Sequence, residues 1–291
     1  MKWLVSGMLL AMAGAAIAQA PDVVINLDAR LNYRTAPESP NTQRLYDELG
    51  NYSIVSLGFK LEPGFKVYVG QKLQRFSGGH DDDLLDEYYV EDEGIWRVGK
   101  QYVPFGANRL VRESVLAARG DTNLLIEGIP VRFAYCQGGG GKQEGFVGRV
   151  GGRIGFSAFI GDHFGIDGTS FGLIRRPESA SGRGRGYGQA YGVDMSKGNG
   201  PLMFTFEGVA FRQPSKDELD HAFEAYDLSC TYTPSKYQTY ILGWTRKTNP
   251  NDDIIRLQAS IFATRNVFIE PMLRYRDGKT YDLNIAIRVR L

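Results

Sequence analysis

The chain has 291 residues, with 34 lysines and arginines against 33 aspartates and glutamates, so it offers no basic surface for nucleic acid. Mean hydropathy is −0.27, and no run of 18 apolar residues after the N-terminal segment could cross a bilayer as a helix. Glycine (36), tyrosine (16) and phenylalanine (16) are abundant and no shift in composition marks a boundary, so a single closed domain suits the length.

Residues 1–18 read as a secretory signal peptide. Lys2 supplies the positive start, Leu4–Ile17 is apolar and rich in alanine and glycine, and Ala16-Ile17-Ala18 is a small-x-small cleavage site. Cleavage is expected before Gln19; cleavage after Ala20 is the alternative, and it leaves Pro21 just past the scissile bond. The apolar core is too short to serve as an anchor. The expected mature domain is 19–291, with no second domain.

From there the pattern is alternation. In 23–34, Val23, Ile25, Leu27, Ala29, Leu31 and Tyr33 face one way, and Asn26, Asp28, Arg30, Asn32 and Arg34 the other. A long loop over 35–51 follows, then strands 52–62 and 65–76 about the turn Glu62-Pro63-Gly64. After a polar loop over 77–83 come strands 84–91 and 95–103, a long connection over 104–122, and strand 123–136. Phe146, Val150, Ile154, Phe156, Ala158 and Ile160 keep one parity through Gly151-Gly152, which a two-residue hairpin would not preserve, so 144–161 reads as one strand. The loop 162–186 precedes strands 187–196, 201–213, 219–233, 236–247, 252–263 and 266–276. The last, 280–291, is the clearest: Tyr281, Leu283, Ile285, Ile287, Val289 and Leu291 alternate with Asp282, Asn284, Ala286, Arg288 and Arg290.

This predicts an all-β, transmembrane, antiparallel up-and-down β-barrel of 14 strands. Splitting 144–161 and adding a strand near Phe171–Arg175 gives the alternative of 16. The connections 62–64, 92–94, 137–143, 197–200, 233–235 and 264–265 are short, while 35–51, 77–83, 104–122 and 162–186 are long, as periplasmic turns and external loops sort in outer-membrane barrels. Strands of this length suit a bilayer better than a sandwich, and lipid forbids open edges, so closure follows. Tyr33, Tyr52, Phe65, Tyr102, Tyr135, Tyr187, Tyr232, Tyr275 and Tyr281, near strand ends, would form interfacial girdles. Cys136 and Cys230 fall on strands four apart and on opposite faces, which disfavours a disulfide.

The run Asp86-Glu87-Tyr88-Tyr89-Val90, followed by Trp96-Arg97-Val98-Gly99-Lys100-Gln101-Tyr102-Val103-Pro104-Phe105-Gly106, resembles Gram-negative porins. It is most similar to the phosphate-selective porin O/P type. The likeness spans some 35 residues, and the chain ends on Leu291 where such porins usually end on phenylalanine. It implies an outer-membrane channel for passive diffusion of small hydrophilic solutes, with the connection after 95–103 folded into the pore. It also implies insertion by the barrel assembly machinery into outer-membrane lipid; Arg175, Arg176, Arg183 and Arg185 could meet lipopolysaccharide phosphates, with a simple polar loop as the blander reading, and monomer and homotrimer both stay open. No cofactor is implied.

In that frame the polar parity lines the pore. Arg30, Arg97, Arg132, Arg149, Arg153, Arg256, Glu270, Arg274 and Arg288 are expected on the wall, opposed by Asp28, Asp194, Glu207, Asp227 and Asp282. Arg109, Arg112, Glu113, Arg119 and Asp121 are expected at the constriction. Arginines in a narrow wet ring favour anions, phosphate among them; the bland reading is that they pair with carboxylates and only hold the connection to the wall. His80-Asp81-Asp82-Asp83 has the oxygens for a divalent cation but no fixed coordination spacing, so no metal site is expected. Two rival functions remain: a phospholipase-like barrel enzyme, for which His80, His163 and His221 have no matching nucleophile elbow, and a plugged structural or adhesion barrel.

Overall fold

The computed structural model describes residues 22–36, 39–44, 53–62, 64–73, 85–111, 114–122, 128–137, 144–164, 187–214, 222–248, 251–276 and 279–291. Every regular element among them is a strand: β1 (Asp22–Ala36), β2 (Ser39–Arg44), β3 (Ile54–Glu62), β4 (Phe65–Lys72), β5 (Leu85–Asp92), β6 (Trp96–Tyr102), β7 (Ser114–Thr122), β8 (Val131–Cys136), β9 (Glu144–Gly151), β10 (Ile154–Phe164), β11 (Tyr187–Asn199), β12 (Leu202–Pro214), β13 (Phe223–Ser235), β14 (Gln238–Lys247), β15 (Asp252–Thr264), β16 (Val267–Arg276) and β17 (Lys279–Arg290).

From β3 to β17 each strand pairs antiparallel with the next, and β1 closes the ring. It pairs with β17 from Asp28↔Arg290 to Thr35↔Leu283, and with β3 from Asp22↔Lys60 to Asp28↔Ile54. Beyond that, β2 folds back on β1 (Asn32↔Arg44) in line with β3, so sixteen strands form the wall and β2 extends one seam. Ser53 patches the junction: its hydroxyl accepts from the Arg30 N–H at 2.8 Å. Among the described residues the ring closes on itself through β1, which is the condition a bilayer imposes.

The alternation of the sequence becomes the two faces of this wall. Phe146 (68% exposed), Phe156 (64%) and Ile25 (64%) stand outward, where an ordinary soluble protein would bury them. Outward rings gather near both ends, with Phe65 against Trp96 (centroids 6.1 Å) and Tyr232 against Tyr240 (6.4 Å) at one, and Tyr135 against Phe146 (5.2 Å) at the other. Cys136, inward and buried, and Cys230, outward, are both free and lie on β8 and β13, five strands apart.

Sixteen strands correct the count of fourteen at two places. The first is 144–161, which is a hairpin: β9 and β10 pair through Val150↔Phe156 and Gly151↔Gly155. The loop between the last partners has three residues, and an odd loop keeps facing residues on one parity, so unbroken alternation cannot exclude it. Gly151 makes the turn at φ +117, where an added Cβ would lie 2.1 Å from the Ile154 carbonyl oxygen. The second is β7, inside the expected connection 104–122. Its outward side runs Leu116, Ala118 and Gly120, the last lying under the Phe133 ring, and its inward side is apolar too at Val115 and Ala117, so it lacks the usual contrast. The strand expected at 123–136 begins at Val131. The two corrections cancel downstream, so only 137–143 changes sides and joins the long connections. Phe171–Arg175 lies outside the described residues.

Candidate functional site

What distinguishes the lumen is the segment 103–111. It leaves the end of β6 and turns into the barrel instead of out of it. Val103, Phe105, Leu110 and Val111 are 0–2% exposed and join inward side chains of β7–β13 and β15 in one apolar cluster. Apart from the carboxylates that anchor the segment, the wall it covers is apolar, because the segment and not water lies against it.

The far anchor is on β10–β13. Gly106 N–H donates to Ser157 Oγ on β10 at 2.9 Å. Arg109 N–H and Leu110 N–H both donate to Glu207 Oε2 on β12, at 2.9 and 3.3 Å. Arg109 Nε donates to Asp227 Oδ1 on β13, and the other oxygen of Asp227 accepts from Thr245 Oγ1 at 2.8 Å. β12 and β13 are six and seven strands round a ring of sixteen from β6, so the segment reaches most of the way across. Two glycines make the fit. Phe105 lies over Gly192 of β11, where a Cβ would come 2.8 Å from its ring; Gly106, at φ +55, lies against Glu207, where a Cβ would come 1.9 Å from Oε1.

Asp194, Glu207 and Asp227 stand directly opposite one another across β11–β13. Three like charges in a row on adjacent strands repel, and each is answered separately. Asp194 binds Arg149 Nε and Nη2 at 2.9 and 2.5 Å; Glu207 takes the two backbone donors; Asp227 takes Arg109 and Thr245. All three are at most 4% exposed.

Arginines oppose one another in the same way elsewhere on the wall: Arg30↔Arg288, Arg97↔Arg119, Arg132↔Arg149 and Arg256↔Arg274. Arg288 is held between Asp28 and Glu270, and Arg30 lies 3.4 Å from Glu270. Arg97 pairs with Glu91 and Arg119 with Asp121, at 2.5 and 2.6 Å. The Arg149 and Arg256 guanidiniums lie flat over Gly155 and Gly243. Arg132 is exposed and makes no ion pair among the described residues.

The expected site residues therefore separate. Arg30, Arg97, Arg132, Arg149, Arg256, Glu270, Arg274 and Arg288 lie on strands, on the inward parity. Arg153 does not: it sits in the exposed turn between β9 and β10, because the hairpin falls there. Arg119 and Asp121, expected on the constricting connection, are wall residues of β7 near its turn. Arg109 alone of the described constriction residues is on the inward segment, and its side chain is tied to the wall. Arg112, Glu113, His80–Asp83 and His221 lie outside the described residues, as does the side chain of His163. The anchoring roles of Ser157, Glu207 and Asp227 were missed; Gly106 was the available signal, since a Pro-Phe-Gly leaving a strand implies a tight approach to something.

A closed ring of sixteen antiparallel strands, greasy outside and charged inside, with the connection after β6 laid across the lumen, has the architecture of a transmembrane β-barrel. Solved structures of outer-membrane proteins share it. A loop-deletion form of OmpT from Vibrio cholerae superposes with TM-score 0.65 over 94% of this chain and 100% of its own, at 13% identity. The outer membrane channel DcaP of Acinetobacter baumannii gives 0.62 over 94% and 98%, at 11% identity. An anion-selective porin from Comamonas acidovorans gives 0.56 over 93% and 99%, at 10% identity. No family model matches the sequence, and no curated protein matches it.

Proposed function

We propose that this protein is an outer-membrane porin through which small hydrophilic solutes diffuse passively, with a preference for anions. One observation carries the reading: segment 103–111 crosses the lumen and is fastened to the far wall by Ser157, Glu207 and Asp227. Fastened in this way, the segment gives the lumen a fixed bore, as a channel needs, and conductance separates that from a plugged barrel. Arg132, exposed on the inward parity and without an ion pair among the described residues, supports the anion preference, because the local field in a narrow wet lumen is poorly screened; the other opposed arginines are held on carboxylates or buried. Phosphate is one candidate among such anions. The exposed wall arginines are the selecting charges in this reading; Arg112 and Glu113 follow segment 103–111 directly in the sequence.

The same reading makes 1–18 a signal peptide removed on export and the barrel assembly machinery its inserter, with lipopolysaccharide against the outer wall. It takes a homotrimer as the working assembly; a trimer form of OmpT is among the similar structures. The test is a planar bilayer with a salt gradient. Purified protein should give unitary current steps with a reversal potential on the anion side. Absence of steps from protein shown to be folded would end the reading, and a reversal potential on the cation side would end the anion preference alone.

A further inference from the structure

The inward faces of β1, β3, β4 and β5 carry a row of directly opposed residues: Val24↔Gly58, Gly58↔Tyr68 and Tyr68↔Tyr89. Tyr68 and Tyr89 are stacked, with centroids 5.0 Å apart and planes at 19°. On its other face Tyr89 is covered by Arg97, whose guanidinium carbon is 3.8 Å from the ring centroid and whose Nε and Nη2 are fixed on Glu91. Tyr89 is closed on both sides, and the stack can grow only beyond Tyr68.

Beyond Tyr68 stands Gly58. A Cβ placed there would meet only atoms of Val24, at 3.9 Å, and Gly58 itself is partly exposed. The existing stack shows that this wall holds one ring per strand, since the 5.0 Å between centroids matches an interstrand distance of about 4.8 Å. Val24 and Tyr68 are two such distances apart, about 9.5 Å, which leaves a planar ring about 3.5–4 Å of contact distance on either side. Two residues along the same face is Lys60, exposed and without an ion pair among the described residues. It stands between Asp22 on one side and Lys66 on the other; Lys66 is tied to Glu91.

We propose that this slot, over Gly58 between Val24 and Tyr68, binds monocyclic aromatic carboxylates, the ring stacked on Tyr68 and the carboxylate directed to Lys60. The slot rests on the porin reading for its access to solute. A flat ring is selected because the space is one ring thick and one wall of it is a π face. The negative charge is selected by Lys60, which has no ion pair among the described residues; Lys66 beside it is held by Glu91, a carboxylate that Arg97 shares.

Benzoate is the probe. Saturation-transfer NMR on the full-length barrel in detergent reads its binding without needing conduction, and cyclohexanecarboxylate, equal in charge but thicker, is the control. Wild type should show benzoate transfer and little for the control. Gly58→Val fills space that is open among the described residues, so it should fold and abolish the signal. Tyr68→Leu should weaken binding about fivefold, and Lys60→Gln about threefold. Benzoate transfer that is absent from wild type, equal transfer in Gly58→Val, or equal transfer to cyclohexanecarboxylate overturns the slot. Should Gly58→Val not fold, unchanged affinity in Tyr68→Leu does so. Current steps with no Gly58-dependent binding would sink the slot and spare the porin; Gly58-dependent binding without current steps would do the reverse.

Discussion

The acidic row Asp194–Glu207–Asp227 and the arginine pairs on either side of it share one lumen wall, and they put their charges to opposite uses. The acidic row is buried, because segment 103–111 lies on it, and its carboxylates bind protein donors: backbone N–H groups, a threonine hydroxyl and two guanidiniums. Arg30, Arg132 and Arg288 lie where no described segment crosses the wall; Arg30 and Arg288 are held on Glu270 and Asp28, and Arg132 keeps its charge exposed. Position in the sequence does not separate these uses. What separates them is whether an apolar patch beside the charge invites the chain to fold across it: Val209, Phe211, Phe223 and Ala225 flank the acidic row in the buried cluster, whereas Glu270 and Arg274 flank only Met272. The difference predicts that changes at the row alter the bore and changes at exposed arginines alter ion preference.

The largest effect is expected from Phe105→Ala. The ring is wholly buried over Gly192, and its removal forfeits about 3–5 kcal/mol of packing. With the segment loosened, single-channel conductance should rise and protease should cut within 103–111; an unchanged conductance would mean the segment does not narrow the pore. Next is Glu207→Ala, which strips the acceptor from two backbone donors, at about 1–3 kcal/mol each. Glu207→Gln keeps a carbonyl oxygen in place and should raise conductance less. Equal effects of the two substitutions would show that charge, not hydrogen bonding, does the fastening. Arg109→Ala should be weaker again, about 1–2 kcal/mol, since the Arg109 side chain is 25% exposed and water can reach the vacated space beside Asp227. Thr245 still satisfies one oxygen of that carboxylate.

The wall was legible in the sequence because lipid enforces period 2 on every strand, and 280–291 or 23–34 shows it without help. Two elements were not. In β7 the contrast is lost locally: Val115 and Ala117 are apolar inward where 103–111 covers them, as apolar as Leu116 and Ala118 outward, and at Gly120, which makes room for Phe133, an outward side chain is missing. The β9–β10 hairpin was hidden by an odd-numbered turn. The inward course of the connection was legible through Pro104-Phe105-Gly106, but its far anchor was not. Arg109 and Asp227 are 118 residues apart, and nothing in a period-2 pattern says which inward carboxylate a cross-lumen segment will meet. For the same reason an arginine count overstates the charge open to solutes: Arg109 and Arg149 are held on buried carboxylates.

The smallest structural change should be the most informative about ion preference. Arg132 faces Arg149 across β8 and β9, is exposed, and has no ion pair among the described residues, whereas its neighbour is held on Asp194. Arg132→Gln therefore removes one lumen charge without leaving a carboxylate unanswered, and little repacking should follow. In a salt gradient its reversal potential should move toward zero while the current step in symmetric salt keeps nearly its wild-type size. Glu207→Ala should do the opposite, enlarging the step and moving the reversal potential less. A double substitution of these two sites should show the two effects adding, because they act on separate quantities at separate places. If Arg132→Gln changes the step but not the reversal potential, the exposed wall arginines do not choose the ion, and that choice belongs to the segment across the lumen.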